Sequence, residues 1–233
     1  MESGIFKAEA RFSWEALKRI TSRPDILIGS LPFPGSLDGK TVSIRIPGRV
    51  FGFEFSGSFE MTYADKTATY IMKSPPLGGL LIVTIQLGGE KFLVCRASAD
   101  LNERFLRKKL LKIAEGFGRT VLAFSESYER VIPKIRQEHS KIVASDLKPG
   151  DLIHLARYVR FFGGKDTFEI IGTGKGGEIK IKVKGGDLEG IEFREDGTLA
   201  IVEIKKPLLD VSEDELSDLG IGGRYVFNVL WGG

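Results

Sequence analysis

The chain is short of the residues that most often carry chemistry: its 233 residues include one cysteine and two histidines. A lone Cys95 excludes an internal disulfide, fits a reducing interior and cannot build a structural zinc site. Asn and Gln number two each (Asn102, Asn228, Gln86, Gln137), a composition that points to a thermophilic source. No apolar run approaches the roughly 18 residues of a membrane span, and "MESGIFKAEARF" has no signal-peptide pattern, so a cytoplasmic location is expected. Concentrated charge is missing too. Through residue 140 there are 21 Lys and Arg against 15 Asp and Glu, net +6; after it, 13 against 16, net −3. Nucleic-acid binders concentrate basic side chains in stripes, so none is expected as a partner.

What the chain has is periodicity. From near Asn102 to Pro133, Leu106, Leu110, Ile113, Phe117, Val121, Phe124, Tyr128 and Val131 recur at steps of three and four, predicting one long amphipathic helix. Lys108, Lys112, Glu115 and Arg119 fall on its opposite, solvated face, with favourable pairs Glu103–Arg107 and Glu115–Arg119. Upstream the pattern is mostly strands. "IFKAEARF" reads as a first strand, Ser13 caps the short helix "WEALKRI", and Pro24 opens a second, "PDILIG". "LPFPGSLDGK" reads as a turn-rich connection. Then come "TVSIRIP", "FGFEFSGSFEMTY", "TATYIM", "LLIVTIQL" and "KFLVCRASA", separated by turn residues as in a meander. Alternation places Phe51, Phe53, Phe55, Phe59, Met61 and Tyr63 on one face, with Glu54 and Glu60 on the other. One helix is too narrow to cover a wide curved sheet, so a cavity between them is expected.

Gly116 and Gly118 interrupt that helix on either side of Phe117, each costing its interior about 1 kcal/mol relative to alanine. Room for a ligand beside Phe117, close packing and a kink remain open as explanations.

This order resembles the helix-grip fold of the START/polyketide cyclase (SRPBCC) superfamily over about residues 4–135. The resemblance is carried by "WEALKRITSRPDILIGSLPFPGSLDGK" and "NERFLRKKLLKIAEGFGRTVLAFSESYERVI". The Pro-Gly after the second short helix is similar to the branch of carbon monoxide dehydrogenase maturation proteins. The resemblance implies a pocket for a hydrophobic molecule under the closing helix, lined here by Phe53, Phe55, Met61, Tyr63, Tyr70, Leu110, Ile113 and Phe117. It supplies no catalytic residues. The expected activity is therefore non-enzymatic binding or carriage of a lipid or fatty-acid-like molecule. The alternatives are a cyclase- or hydrolase-like enzyme using Tyr63 or Tyr70 with a pocket carboxylate, and a protein adapter or maturation factor with a vestigial pocket.

Other motifs are bland. "GTGKGG" matches a phosphate-loop pattern, but strands flank it and Lys175 is followed by Gly176, so it reads as a hairpin turn. His139 and His154 have no metal-ligand spacing, and neither a metal nor a cofactor is expected. Cys95 reads as a packing thiol; Arg96, one residue on, points to solvent unless the register shifts, when it would suit a ligand carboxylate.

The expected architecture is α+β: a helix-grip domain over 1–138 followed by a small α+β domain over 139–233. "PKIRQEHSKIVASDLKPGD" reads as the linker. In the second domain Asp151 is read as N-cap of the helix "DLIHLARYVRFFGG", ended by Gly163. "TFEIIG", "EIKIKVKGG", "LEGIEFRE" and "TLAIVEIKK" read as strands, with an Asp196-Gly197 hairpin turn, and Ser212 with Glu215 forms a capping box. "RYVFNVLW" reads as a last strand. This half faintly resembles the small adapter domains attached to bacterial response regulators. Its expected role is contact with a protein partner or self-association.

Overall fold

A computed structural model describes residues 2–48, 52–89, 91–101, 106–138 and 141–232. Phe51, the helix start at Asn102, Glu103 and His139 lie outside the described residues. The chain forms two compact units, Met1–Ser125 and Glu126–Gly233.

The first unit runs β1 (Glu2–Glu9), α1 (Trp14–Thr21), α2 (Pro24–Gly29), β2 (Gly35–Asp38), β3 (Thr41–Ile46), β4 (Phe53–Ala64), β5 (Thr67–Ser74), β6 (Gly79–Gly88), β7 (Phe92–Asp100) and α3 (Leu106–Val131). Its strands make one curled antiparallel sheet in the order β1-β7-β6-β5-β4-β3-β2. The meander follows from local chemistry: Asp65 and Lys66 both take positive φ, which lets a two-residue turn join β4 to β5. Ser13 caps α1 as expected, accepting a hydrogen bond from the Ala16 N–H at 3.3 Å. The turn-rich connection proves to hold β2, a four-residue edge strand paired with β3; at that length it leaves too little alternation to read.

Every inward side chain of the meander read from the alternation is buried from Val42 to Ile46, Ala68 to Met72, Leu81 to Leu87 and Leu93 to Ala97. Leu110, Ile113, Phe117, Val121 and Phe124 of α3 complete that core. Each of the Val, Leu, Ile, Phe and Met side chains among them contributes about 1.5–3 kcal/mol on leaving water. Three glycines let the pieces close. A Cβ on Gly4 of β1 would strike the α3 backbone at Leu110–Leu111. A Cβ on Gly116 would lie 2.5 Å from the Phe33 ring, and one on Gly118 would run into the Phe6 ring. The two helix glycines thus face aromatic rings of this chain, which is the packing explanation.

The second unit starts in the last turn of α3 and adds β8 (Ile135–Glu138), β9 (Lys141–Leu147), α4 (Asp151–Gly163), β10 (Phe168–Gly174), β11 (Gly177–Lys184), β12 (Asp187–Glu195), β13 (Thr198–Pro207) and β14 (Gly223–Trp231). Two 3-10 turns, Leu208–Asp210 and Glu213–Leu216, precede β14. The sheet order is β13-β12-β11-β10-β14-β9-β8, all antiparallel. The segment read as a linker therefore supplies two strands. They are short, and β9 buries adjacent residues Val143 and Ala144, so neither shows a clean period of two. "GTGKGG" is the β10–β11 hairpin, with Gly174 opposite Gly177. Asp196 and Gly197, both at positive φ, turn β12 into β13. The capping box of Ser212 and Glu215 forms as expected.

The ends of α4 differ from expectation. Gly150 is the N-cap and Asp151 is the first helical residue, its carboxylate accepting from the Lys148 N–H at 2.8 Å. Gly164, at φ 64°, ends the helix in the left-handed conformation expected of Gly163. Gly163 is instead needed small, because its missing Cβ makes way for the Trp231 ring. At the sheet edge β13 is irregular: Lys205 has φ 52°, and the register against β12 shifts between Leu188 and Gly190.

Candidate functional site

The inner face of β4 and the facing side of α3 define the candidate site. Alternation puts Phe53, Phe55, Phe59, Met61 and Tyr63 on the inner face, and the β4–β5 register sets Met61 opposite Tyr70. The steps of three and four from Leu110 through Ile113 to Phe117 turn those helix side chains to the same space. The structure brings several of the eight sequence-derived residues into direct relation. The Tyr70 and Phe117 rings meet edge to face at 6.0 Å, and Phe59, absent from that set, packs on Tyr70 at 5.3 Å. The Lys109 ammonium lies 5.1 Å from the centroid of the Phe53 ring.

Burial divides the set in two. Phe53, Phe55, Tyr70, Leu110, Ile113 and Phe117 each retain 1% of their surface or less. A water-sized void against any of them would give it accessible surface, so protein atoms already cover these six. Met61 and Tyr63 are half-buried. They mark one end of the inner face, where Trp14 stands edge-on to Tyr63 at 6.4 Å.

The polar groups at this end are hydroxyls. Tyr70 donates to the Thr21 carbonyl at 2.7 Å, and the Tyr63 and Thr21 hydroxyls are 3.3 Å apart. Thr21 also donates to the Leu17 carbonyl of its own helix at 2.8 Å. Burial holds the Tyr70 phenol well above the usual range and, against an opposing hydrogen bond from Thr21, raises Tyr63 as well. Both therefore stay protonated at neutral pH as donors. Glu54 and Glu60 are exposed on the opposite face, away from either tyrosine's acid–base reach. Arg96 is exposed, and burial pushes the Cys95 thiol far up, which makes it a poor nucleophile.

The second unit holds a polar constellation that sequence reading missed. His154 Nδ1 lies 3.0 Å from the Ser127 hydroxyl, and its Nε2 lies 2.9 Å from Glu213 Oε1. Burial lowers the His154 pKa against the opposing pull of Glu213, so the ring is neutral near pH 7. With a carboxylate at Nε2, that nitrogen donates and Nδ1 accepts from Ser127. The order hydroxyl–imidazole–carboxylate has the outline of a nucleophile and its base, but Ser127 has no accessible surface and cannot meet a substrate. The group is a staple. Beside it, buried Asp151 accepts from Arg130 at 2.8 Å and Lys134 at 2.5 Å. Arg157 donates to the carbonyls of Leu208, Leu209 and Val211. Together these tie the last two turns of α3, α4 and the two 3-10 turns. Among the described residues no three His, Cys, Asp or Glu side chains group as metal ligands.

A curled antiparallel sheet gripped by a long helix, followed by a second α+β unit, defines this chain as a two-unit helix-grip α+β protein. No protein-family model and no curated relative matches the sequence. Solved structures do align with it. The di-domain ARO/CYC protein of the steffimycin biosynthetic pathway shares 7% identity over 98% of this chain and 84% of its own, with a TM-score of 0.36. A putative protein of the dynemicin biosynthetic locus shares 12% over 100% and 87%, at 0.35. Aha1 from Colwellia psychrerythraea, solved as a dimer, shares 16% over 55% and 97%, at 0.34. At such values the likeness adds nothing to the description of the fold given above.

Proposed function

We propose that the first unit binds a hydrophobic small molecule of lipid or fatty-acid type along the inner face of β4, without catalysing its conversion. One observation carries this reading. The face from Phe53 to Tyr63 is apolar and interrupted only at Gly57, and its Met61–Tyr63 end keeps partly exposed aromatic and thioether surface beside Trp14. A ligand enters there and displaces side chains further in, gaining about 25 cal/mol for each Å² of apolar surface it loses to the protein, before the costs of binding. The half-buried Tyr63 hydroxyl, 3.3 Å from the fully covered Thr21 hydroxyl, offers its head group a hydrogen bond. Among the described residues β4 carries no carboxylate on that face, and Asp25, whose charge reaches Tyr70, is paired with Arg23, which argues against acid–base catalysis by Tyr63 or Tyr70. A reducing, cytoplasmic setting accords with the single thiol, Cys95.

A specific observation favours a second reading. The six covered residues fit an interior already filled by side chains, as in an adapter or maturation factor whose pocket is vestigial, including the carbon monoxide dehydrogenase maturation branch. Native mass spectrometry with organic extraction separates the two. A stoichiometric lipophilic adduct, lost in Met61→Arg, supports binding. A clean apo mass, with no uptake from a cell lipid extract and no change in Trp14 fluorescence, supports the adapter.

A further inference from the structure

At the β2 edge of the sheet, an open groove of about 420 Å³ lies between the α2–β2 connection and the outward side chains of β2, β3 and β4. That volume is within the range of small-molecule sites. Leu31, Phe33 and Pro34 supply its apolar wall, while Ser36, Ser43, Arg45 and Glu54 supply its polar one. Leu31 and Phe33 are nearly fully buried, the Phe33 ring against Gly116 of α3, so they anchor the wall and exposed Pro34 presents most of its apolar surface. Gly29 and Gly35 also line the groove; a Cβ on Gly29 would meet nothing within 4 Å, which leaves this side open.

The register makes the charges specific. Arg45 and Glu54 are direct cross-strand partners, and both project from the outer face. Side chains in such positions stand about 5 Å apart at Cβ and usually pair when their charges are opposite. Here neither side chain has an ion-pair or hydrogen-bond partner among the described residues. The Ser36 and Ser43 hydroxyls are opposite each other in the next register pair. The groove thus presents one cation, one anion and two hydroxyls beside a fixed apolar wall.

We propose that this groove binds a small zwitterion of the α-amino-acid class with an apolar side chain. The ligand's two charges sit on one carbon, matching opposite charges offered from directly opposed strand positions. Its carboxylate meets the Arg45 guanidinium and its ammonium meets Glu54, while the side chain lies on Leu31, Phe33 and Pro34. A dicarboxylate would face Glu54 unpaired, and a polyamine would face Arg45. The site is separate from the proposed lipid site, shares none of its eight residues, and stands or falls without it.

The test is titration of ¹⁵N-labelled full-length protein with L-phenylalanine, followed by amide shifts. Two analogues serve as controls: 3-phenylpropionate, which lacks the ammonium, and phenethylamine, which lacks the carboxylate. The expected result is saturable shifts at Ser36, Ser43, Arg45 and Glu54, with affinity lower by about tenfold or more for each analogue and in each of Arg45→Met and Glu54→Gln. Both side chains are exposed, so the variants fold, and an unchanged unfolding midpoint verifies it. Absence of saturable shifts at millimolar ligand overturns the proposal. So does binding that the analogues reproduce or the two variants leave intact.

Discussion

Replacing Gly116 by alanine sets two known effects against each other. In an unobstructed helix interior the change stabilises by about 1 kcal/mol, the propensity difference between the two residues. Here the new methyl would lie 2.5 Å from Phe33 Cε1, 3.0 Å from Cζ and 3.4 Å from Pro32 Cδ. Carbon–carbon contacts relax near 3.5–4.0 Å, so the ring must retreat by about 1 Å. Phe33 is nearly buried and has little room to do so. Overpacking of this kind costs about 1–3 kcal/mol, which leaves a net loss of roughly 1 kcal/mol for Gly116→Ala. In a Phe33→Ala background the obstruction is gone and the same substitution stabilises by about 1 kcal/mol. The sign therefore reverses. Urea unfolding followed by Trp14 fluorescence measures it, in a Trp231→Phe background so that the signal reports the first unit alone. Gly116→Ala that stabilises the parent protein, or that has the same effect in both backgrounds, would refute the packing account.

The second unit supplies further tests. Arg157→Met leaves the carbonyls of Leu208, Leu209 and Val211 without their donor, and should cost that unit about 3–5 kcal/mol, measured by Trp231 fluorescence in urea; a loss under about 1 kcal/mol would mean that water replaces the guanidinium. Burial pushes Arg157 down to about 10, well above neutrality, so this loss should not depend on pH between 5 and 8. His154 behaves oppositely. Its folded-state pKa is lowered, chiefly by burial and further by Arg157 and Arg130 against the pull of Glu213, whereas the unfolded imidazole takes a proton near pH 6.5. The unfolded state then binds more protons, so stability is complete above about pH 6.5 and declines as the pH falls below it. His154→Gln should flatten that decline, and a stability that rises on acidification through pH 6 would contradict it.

How far the sequence could be read depended on how one-sided each element's burial is. The α3 stripe and the alternation of β4 to β7 were legible because each presents one wet and one dry face. β2, β8 and β9 were not, being short and without a clean period. The glycines of α3 signalled that something lies beside the helix. That it is the Phe6 and Phe33 rings is a tertiary fact, since neither ring has any local relation to residues 116–118. The His154 staple escaped for the same reason: its partners are 27 and 59 residues away along the chain. Of the eight residues assigned to a ligand, the inward direction of each was readable from periodicity. Whether protein atoms already cover them was not.

The irregular edge strand β13 bears on how this protein behaves when crowded. Its second half is guarded: Lys205 bends the backbone out of register, Lys206 pairs with Glu215, and Pro207 removes a donor. Its first seven residues, Thr198–Ile204, have no positive φ and carry Leu199 and Ile201 with about half their surface exposed. A strand arriving from another molecule can add to those residues alone, and only until it meets the bulge. Those seven residues, TLAIVEI, are long enough for a steric-zipper segment, so the guard at the far end limits the register of such pairing and leaves this stretch as the place where it would begin.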